Sequence, residues 1–203
     1  GGMGSLLQAR GLKAGEMPET WNLTHAQDVI AIHKDYLNAG ADIILANTFG
    51  GNALKYEQQI DEIVIKGVQN ARRAAIEAGK DAYTALDIGP LGKLLKPIGT
   101  LAFEDAVSIF AQTVRAGTKA GADLIVIETM GDTYEMKAAV LAAKENSDLP
   151  IIATAAFGEN GKMLTGSSPV GLVAMLEGLG VDVLGLNCGL GPKQMKPIIQ
   201  SIL

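Results

Sequence analysis

The segment ADLIVIETMG, residues 122–131, decides the fold class of this chain. Its centre is an unbroken run of Leu, Ile and Val, and it ends with the polar residues Glu128 and Thr129. A short continuous run of such residues is typical of a strand buried on both faces of a parallel sheet. The sequence therefore predicts five parallel strands, because four other segments share this design: ADIILANTFG (41–50), DAYTALDIGP (81–90), LPIIATAAFG (149–158) and VDVLGLNCGL (181–190).

Helical patterns separate the predicted strands. Thr24 is expected to cap the first of these helices, and Gly79, Gly121 and Gly180 follow later ones, as helix-ending glycines do. Helices that alternate with strands define an α/β fold, either a (β/α)8 barrel or a doubly wound open sheet. The helices are predicted from apolar residues spaced at 3.6 positions within 29–37, 64–76, 107–114, 136–143, 170–176 and 195–202.

Two observations favour the barrel. No G-x-G-x-x-G turn follows the first predicted strand, although an open dinucleotide-binding sheet would carry one there. Polar residues close several of the strands, and the active sites of barrels lie at that end of the strands. A barrel needs eight strands and this sequence offers five, so we predict an incomplete TIM barrel.

The composition excludes several classes of protein. Hydrophobic residues make up 48% of the 203 residues and charged residues 19%, as in a folded globular domain. The net charge of −5, without a cluster of Lys or Arg, argues against nucleic acid or an anionic membrane as partner. No apolar run approaches the roughly 20 residues of a membrane span. The single cysteine excludes a disulfide framework, so we expect a cytoplasmic enzyme or binding domain.

The candidate functional residues are those that close the strands. Asp87 is expected either to cap a turn or to act in a site, and Asn47 with Thr48 either to satisfy loop backbone or to shape a pocket. Glu128 ends a fully apolar strand, where a carboxylate is seldom left unpaired. We therefore expect Glu128 in a salt bridge or against a cationic group such as a substrate ammonium.

Cys188 has three possible roles. Free cysteines are most often buried core residues, whereas a nucleophilic cysteine needs a histidine as base. The two histidines, His25 and His33, both belong to the first helical region, and His33 falls on its apolar stripe, where a core position is expected. A zinc site needs further Cys or His ligands, and the chain has no second cysteine. Spacing alone leaves the three roles open.

Six stretches of the sequence carry motifs that can be compared with known families: GGMGSLLQARGL (1–12), WNLTHAQDVIAIHKDYLNAGADIILANTFGGN (21–52), DIGPLGKLLKPIGTL (87–101), ADLIVIETMGDTYEMKAAV (122–140), AFGENGKMLTG (156–166) and GLGVDVLGLNCGLGP (178–192). Taken together, these motifs resemble the homocysteine S-methyltransferase family, in particular the homocysteine-binding domain of cobalamin-dependent methionine synthase. The resemblance covers essentially all of residues 1–203 in the order of the family. It implies a (β/α)8 barrel in which this chain supplies strands 2–6 and helices 1–6 and lacks strand 1 and strands 7–8.

The resemblance implies a zinc-dependent methyl transfer to sulfur. In the family three cysteines hold zinc, and homocysteine binds the metal as a thiolate, since a Lewis acid lowers the pKa of a coordinated thiol. GLNCG matches the motif of the first zinc cysteine at Cys188, and Asn187 is expected to orient it. The other two zinc cysteines are expected beyond this sequence. The methyl donor implied is methylcobalamin, bound by other domains of a longer chain that also carries a folate-binding domain.

The resemblance also assigns the substrate contacts. Glu128 matches a carboxylate that binds the homocysteine ammonium, and Gly1 and Gly2 match a loop whose backbone N–H groups receive the substrate carboxylate. Asp87 is expected to line the homocysteine pocket or to fix the adjacent loop. Asn47 and Thr48 are expected at the floor of the pocket.

Other functions stay open from the sequence. Betaine or S-methylmethionine could replace methylcobalamin as donor within the same barrel family. The chain could instead be an inactive piece that binds no metal. An unrelated barrel is a further alternative, either a pterin-binding enzyme or an aldolase, but an aldolase usually needs a lysine near a strand end. None of the five predicted strands ends with a lysine.

Overall fold

The computed structural model describes residues 2–203 and contains the five predicted strands. All neighbouring pairs are parallel. Each strand lies within its predicted segment, so this prediction is confirmed. The strands are β1 (Ile43–Leu45), β2 (Tyr83–Ile88), β3 (Leu124–Met130), β4 (Ile151–Ala155) and β5 (Val183–Leu186).

The order of the strands identifies the sheet as part of a barrel. The sheet runs β1-β2-β3-β4-β5, so every strand lies beside the one that precedes it in the chain. A doubly wound sheet instead reverses its strand order at a switch point. The described residues therefore form a five-stranded segment of a (β/α)8 barrel, as the sequence predicts.

All six predicted helices are present, as α3 and α5–α9, and three short helices, α1, α2 and α4, add to them. Two 3-10 turns, Pro18–Thr20 and Glu57–Gln59, complete the helical segments. The helices are α1 (Met3–Ala9), α2 (Trp21–Thr24), α3 (Ala26–Asn38), α4 (Ala53–Tyr56), α5 (Ile60–Ala78), α6 (Phe103–Lys119), α7 (Thr133–Asn146), α8 (Pro169–Gly178) and α9 (Pro192–Gln200).

The expected cap at Thr24 is wrong. Thr24 ends the short helix α2, and its hydroxyl donates to the Thr20 carbonyl at 3.2 Å instead of accepting from the next helix. His25, with φ −135° and ψ 43°, separates α2 from α3. The sequence pattern missed α2 because four residues are too short to show a helical period. The helix end at Gly79 is as predicted, since this residue adopts the left-handed conformation that glycine favours.

Two apolar layers cover the sheet. On one face, alternate residues of β3 such as Ile125 and Ile127 pack against α5, α6 and α7, with Phe110 fully buried. On the other face, Leu124 and Val126 pack with residues of β1, β2 and β4 in the barrel interior. The central strands are therefore buried on both faces, as expected. The edge strands are more open: Val183 of β5 is 52% exposed.

Two isoleucines of helix α5 test this packing. Ile63 is fully buried, whereas Ile76 on the same helix is 78% exposed. We expect Ile63→Ala to lower the free energy of unfolding by about 2–5 kcal/mol, because it leaves a cavity in the core. Ile76→Ala is the matched control and is expected to change it by less than about 0.5 kcal/mol. Urea denaturation followed by circular dichroism measures both, and equal losses would contradict the helix orientation.

Candidate functional site

The candidate residues lie at one end of the sheet, where the strands finish. Because the strands are parallel, their carboxyl ends all lie at this same end. Asp87 and Glu128 lie near the ends of β2 and β3, Asn47 and Thr48 follow β1, and Asn187 and Cys188 follow β5. Burial is the main cause that raises the pKa of Asp87, and the negative charge of Glu128 raises this pKa further.

Asn187 joins the ends of three strands. Its side-chain oxygen accepts hydrogen bonds from the backbone N–H of Thr129 on β3 and from the hydroxyl of Thr154 on β4, both at 2.9 Å. Its amide nitrogen donates to the hydroxyl of Thr129 at 2.8 Å and to Oε2 of Glu128 at 3.3 Å. One amide thus holds Glu128 in place beside β5. The role expected of Asn187, to orient Cys188, stays a prediction.

Cys188 is an exposed free thiol, which rules out the core-residue alternative. Its φ is 59° and that of the facing Thr129 is 61°, so both have left-handed backbones. Such conformations cost about 1–3 kcal/mol in residues other than glycine and persist where surrounding contacts hold them. The Thr129 hydroxyl and the Asn187 amide both approach the Cys188 sulfur, at 3.5 Å each. The sulfur is therefore presented to solvent beside two hydrogen-bond donors.

Neither histidine is placed to activate Cys188. His33 is buried in the core, as expected, and burial lowers its pKa to about 4. The ring of His25 stacks on Trp21 with centroids 4.1 Å apart, and its Nδ1 contacts the Thr24 hydroxyl. Cys188 is not a hydrogen-bond partner of either histidine within residues 2–203. A cysteine–histidine nucleophile is therefore not formed by these residues.

A metal-ligand role fits the chemistry of Cys188. A thiol that is exposed at a strand end and that receives N–H and O–H donors can bind a soft metal as thiolate. Residues 2–203 contain no cluster of three His, Cys, Asp or Glu side chains that could hold a metal ion. The described part of the chain thus offers one cysteine ligand and not a complete set.

Asp87 is a buried carboxyl group with an unused oxygen. It is 6% exposed, and its Oδ1 has no hydrogen-bond partner among the described residues. Burial raises its pKa well above the ordinary value, and the negative charges of Glu128 and Glu19 raise it further. A buried carboxyl group with an unpaired oxygen either stays protonated or binds a cation.

Glu128 is half-buried, and burial raises its pKa as well. The ion pairs within residues 2–203 do not include Glu128, so the salt-bridge alternative is not found there. Within residues 2–203, its one side-chain hydrogen bond is the long contact with Asn187. Two acidic groups, Asp87 and Glu128, therefore lie on one face without a basic partner in the described structure.

Asn47 and Thr48 are buried and engaged with the protein itself. The Asn47 amide donates to the Pro18 carbonyl at 2.9 Å and to the side-chain oxygen of Asn22 at 3.1 Å. The Thr48 hydroxyl donates to the carbonyl of Asp87 at 2.8 Å and accepts from its backbone N–H at 3.1 Å. Both residues therefore position the end of β2 and the loop after β1, and direct contact with a ligand stays a prediction.

The predicted glycine loop is only partly described. Gly1 lies outside the described residues, and Gly2 is exposed immediately before α1. The next residue, Met3, lines a cavity of about 80 Å³ together with Asn47 and Asp87. The chain thus brings the segment after Gly2 near Asp87, while the role of Gly1 and Gly2 stays a prediction.

Three buried carboxyl groups, Glu19, Asp132 and Glu135, escaped the sequence interpretation. Glu19 is 5% exposed and accepts hydrogen bonds from the Gly50 N–H at 2.6 Å and from the hydroxyl of Tyr56, which ties down the loop after β1. Glu135 is buried at the start of α7. Its spacing from Asp132, three residues apart at a helix start, resembles a capping box and was an available signal. Glu19 has no such local signal.

Comparison with known proteins identifies the family. The described geometry is that of a parallel barrel whose polar residues gather at the carboxyl ends of the strands, which is the arrangement of a barrel enzyme. The sequence model of the family described as "Homocysteine S-methyltransferase" matches residues 1–203. The chain belongs to the homocysteine S-methyltransferase family. The aldolase and pterin-binding alternatives are therefore wrong.

Two curated relatives are named methionine synthase. The protein of Mycobacterium tuberculosis is 32% identical over 221 residues, which cover all of this chain and 18% of that protein. The protein of Mycobacterium leprae is 30% identical over 196 residues, which cover 91% of this chain and 16% of that protein. The chain therefore spans less than a fifth of the length of these relatives.

Solved structures support the fold. The metallated form of the Escherichia coli homocysteine methyltransferase MmuM has a TM-score of 0.83 and 22% identity, over 98% of this chain and 76% of that one. Its apo form has a TM-score of 0.80 over the same share of this chain and 74% of its own. At this level of identity the likeness shows the fold alone.

No helix within residues 2–203 has the length and apolar character of a membrane span.

The raised pKa of Asp87 predicts that its carboxyl group lowers the stability of the fold when it ionises. A carboxyl group with a raised pKa contributes stability below about pH 4, and that contribution is lost as the pH rises through the raised value. We therefore expect Asp87→Asn to increase the free energy of unfolding, and more so at pH 8 than at pH 5. Urea denaturation at both pH values measures this, with the exposed Asp148→Asn as control. A loss of stability at pH 8 would contradict the unpaired burial of Asp87.

Proposed function

We propose that this chain is the homocysteine-binding part of a zinc-dependent homocysteine S-methyltransferase, which transfers a methyl group from methylcobalamin to homocysteine to give methionine. The observation that carries the proposal is the joining of Glu128 to Cys188 through Asn187. An α-amino acid that bears a thiol has an ammonium group and a sulfur only a few bonds apart. A carboxylate and a metal-ligating cysteine held side by side are suited to these two ends.

Cys188 would be one zinc ligand, and the remaining ligands would come from outside the described residues. When bound, zinc would act as a Lewis acid that lowers the pKa of the homocysteine thiol, so that the sulfur is anionic and nucleophilic at neutral pH. Thr129 and Asn187 would hold the Cys188 sulfur in position through their hydrogen bonds. Such outer contacts commonly orient a metal ligand and affect metal affinity.

The substrate ammonium would lie between Glu128 and Asp87. Both carboxyl groups lack a basic partner within residues 2–203, and an ammonium group would supply the missing positive charge. Its arrival would favour the ionised form of both groups, which burial opposes in the absence of ligand. The backbone N–H groups of Gly1 and Gly2 would receive the substrate carboxylate. Asn47 and Thr48 would support the pocket floor.

The methyl donor separates two versions of this function. Methylcobalamin is supported by the two methionine synthases of mycobacteria, which are much longer than this chain and leave room for cobalamin and folate domains. Betaine or S-methylmethionine is the alternative, in keeping with the shorter homocysteine methyltransferase of Escherichia coli. Methionine formation by the complete protein, measured with each of the three donors in turn, distinguishes them.

The cytoplasm remains the expected compartment.

The role of Cys188 is tested by the metal content of the complete protein. We expect Cys188→Ser to lose one bound zinc, because a serine hydroxyl is a far weaker ligand for zinc than a thiolate. Native mass spectrometry reports the chain mass and the metal together. Glu128→Gln is the control and is expected to keep its zinc. A Cys188→Ser protein that retains zinc at the original affinity would exclude Cys188 as a ligand.

The role of Glu128 is tested by substrate binding. Replacement by Gln keeps the shape and the contact with Asn187 but removes the charge that pairs with the substrate ammonium. We expect Glu128→Gln to weaken homocysteine binding about tenfold to a hundredfold, as for loss of a charged hydrogen bond. Isothermal titration with homocysteine measures this, with the exposed Glu145→Gln as matched control. Unchanged affinity in Glu128→Gln would overturn the ammonium assignment.

A further inference from the structure

Glu135 is a buried carboxyl group that the proposed chemistry does not use. It lies in the first turn of α7 and is 5% exposed. No lysine or arginine forms an ion pair with it within residues 2–203. A buried acidic side chain without a cation is costly, so its contacts need an explanation.

The carboxyl group of Glu135 is bonded to the loop after β2. Its Oε1 accepts a hydrogen bond from the backbone N–H of Leu91 at 2.7 Å. Leu91 is itself buried and lies four positions after Asp87, between Pro90, which has no N–H, and Gly92, whose φ is 79°. Glu135 therefore anchors a tight turn that continues directly from the strand carrying Asp87.

The same turn forms one wall of a cavity. The cavity has a volume of about 340 Å³ and lies beside Thr129, whose hydroxyl approaches Cys188. Opening of the turn would admit water to Glu135, because the cavity already reaches its side chain. The lining residues are Pro90, Gly92, Lys93, Leu94, Thr129, Gly131, Asp132, Glu135 and Leu164.

The charges around Glu135 oppose its ionisation. Burial raises its pKa to about 7; the Leu91 N–H lowers it in part, and the negative charge of Asp132 raises it again. Lys93, on the loop after β2, is exposed and lines the same cavity. The walls from β3 and from the loop after β4 contribute Thr129, Gly131 and Leu164, which carry no charge.

Two effects compete when Glu135 ionises. The anion accepts a stronger hydrogen bond from Leu91, which favours the closed turn. The anion also loses hydration while it is buried, which favours an open turn in which water reaches it. Because the pKa in the closed structure lies about 2.5 above the ordinary value of 4.5, the loss of hydration is the larger effect. The neutral acid is therefore the form that fits the closed turn.

We propose that Glu135 is a positioning residue for the turn at Leu91, which it holds closed as the neutral acid and releases when it ionises. The carbonyl oxygen of the acid accepts the Leu91 N–H, and its proton remains on the other oxygen. The turn is thus most firmly closed at acid pH, opens increasingly as the pH rises from the ordinary glutamate value of 4.5 to about 7, and changes no further above it. A consequence for homocysteine binding next to Asp87 rests on the proposed function, whereas the motion of the turn does not.

Hydrogen–deuterium exchange of the complete protein between pH 5 and pH 9 tests this proposal. After correction for intrinsic exchange, protection of the Leu91 amide is expected to fall about tenfold per pH unit between pH 5 and about 7 and to level off above that value, as linkage to one proton requires. Glu135→Gln keeps an acceptor for Leu91 and cannot ionise, so its protection is expected to stay constant within about twofold. The amide of Ile125, which is bonded to the Pro150 carbonyl in the core, reports any global unfolding.

Two results would overturn the proposal. One is protection of the Leu91 amide that does not change between pH 5 and pH 7 in the unmodified protein, and the other is protection that rises with pH, which would mean that the anion holds the turn. If Glu135→Gln also loses protection at Ile125, the pH profile of the unmodified protein decides alone. Because exchange requires neither metal nor activity, these outcomes are independent of whether homocysteine is the substrate.

Discussion

The uninterrupted parallel pairing of β1 to β5 is the constraint on which the other features depend. Parallel strands need helical crossovers, so the helices must cover one face while the alternate residues fill the barrel interior. The same pairing brings all the strand ends to a single edge. Residues as distant in sequence as Asp87, Glu128 and Cys188 therefore share one face without any local sequence signal that connects them.

That edge concentrates acidic groups that have no basic partners in the described structure. Asp87 and Glu128 lie inside it, Glu19 fastens the loop after β1, and Glu135 fastens the loop after β2. Each is buried or half-buried, which costs stability unless a hydrogen-bond partner or a cation compensates. Their hydrogen bonds divide these acidic side chains into two groups. Glu19 and Glu135 accept backbone N–H bonds and hold loops, whereas Asp87 has an unused oxygen suited to a ligand cation.

Asn187 compensates for strain at the same edge. Thr129 and Cys188 both adopt left-handed backbones, and the pairing of β3 with β4 shifts register between Ile127 and Met130. The Asn187 side chain bonds to Thr129 through both its oxygen and its nitrogen and also reaches Glu128 and Thr154. These contacts hold an otherwise unfavourable arrangement that exposes the Cys188 sulfur beside the carboxylate. Strain held in this way is characteristic of functional sites.

The sequence by itself determined the five strands, the six principal helices and the barrel class, because these depend on periodic burial that each segment carries locally. It also marked Asp87, Glu128 and Cys188, since a polar residue that ends an apolar run is visible in one dimension. Only the tertiary structure decided what each residue contacts. In the structure the Thr48 hydroxyl bonds to the backbone of Asp87, and Thr24 belongs to a short helix. Glu19 and Glu135 each accept a backbone hydrogen bond that holds a loop. The contacts of Thr48, Glu19 and Glu135 join residues 31 to 44 positions apart and depend on packing that no local pattern encodes.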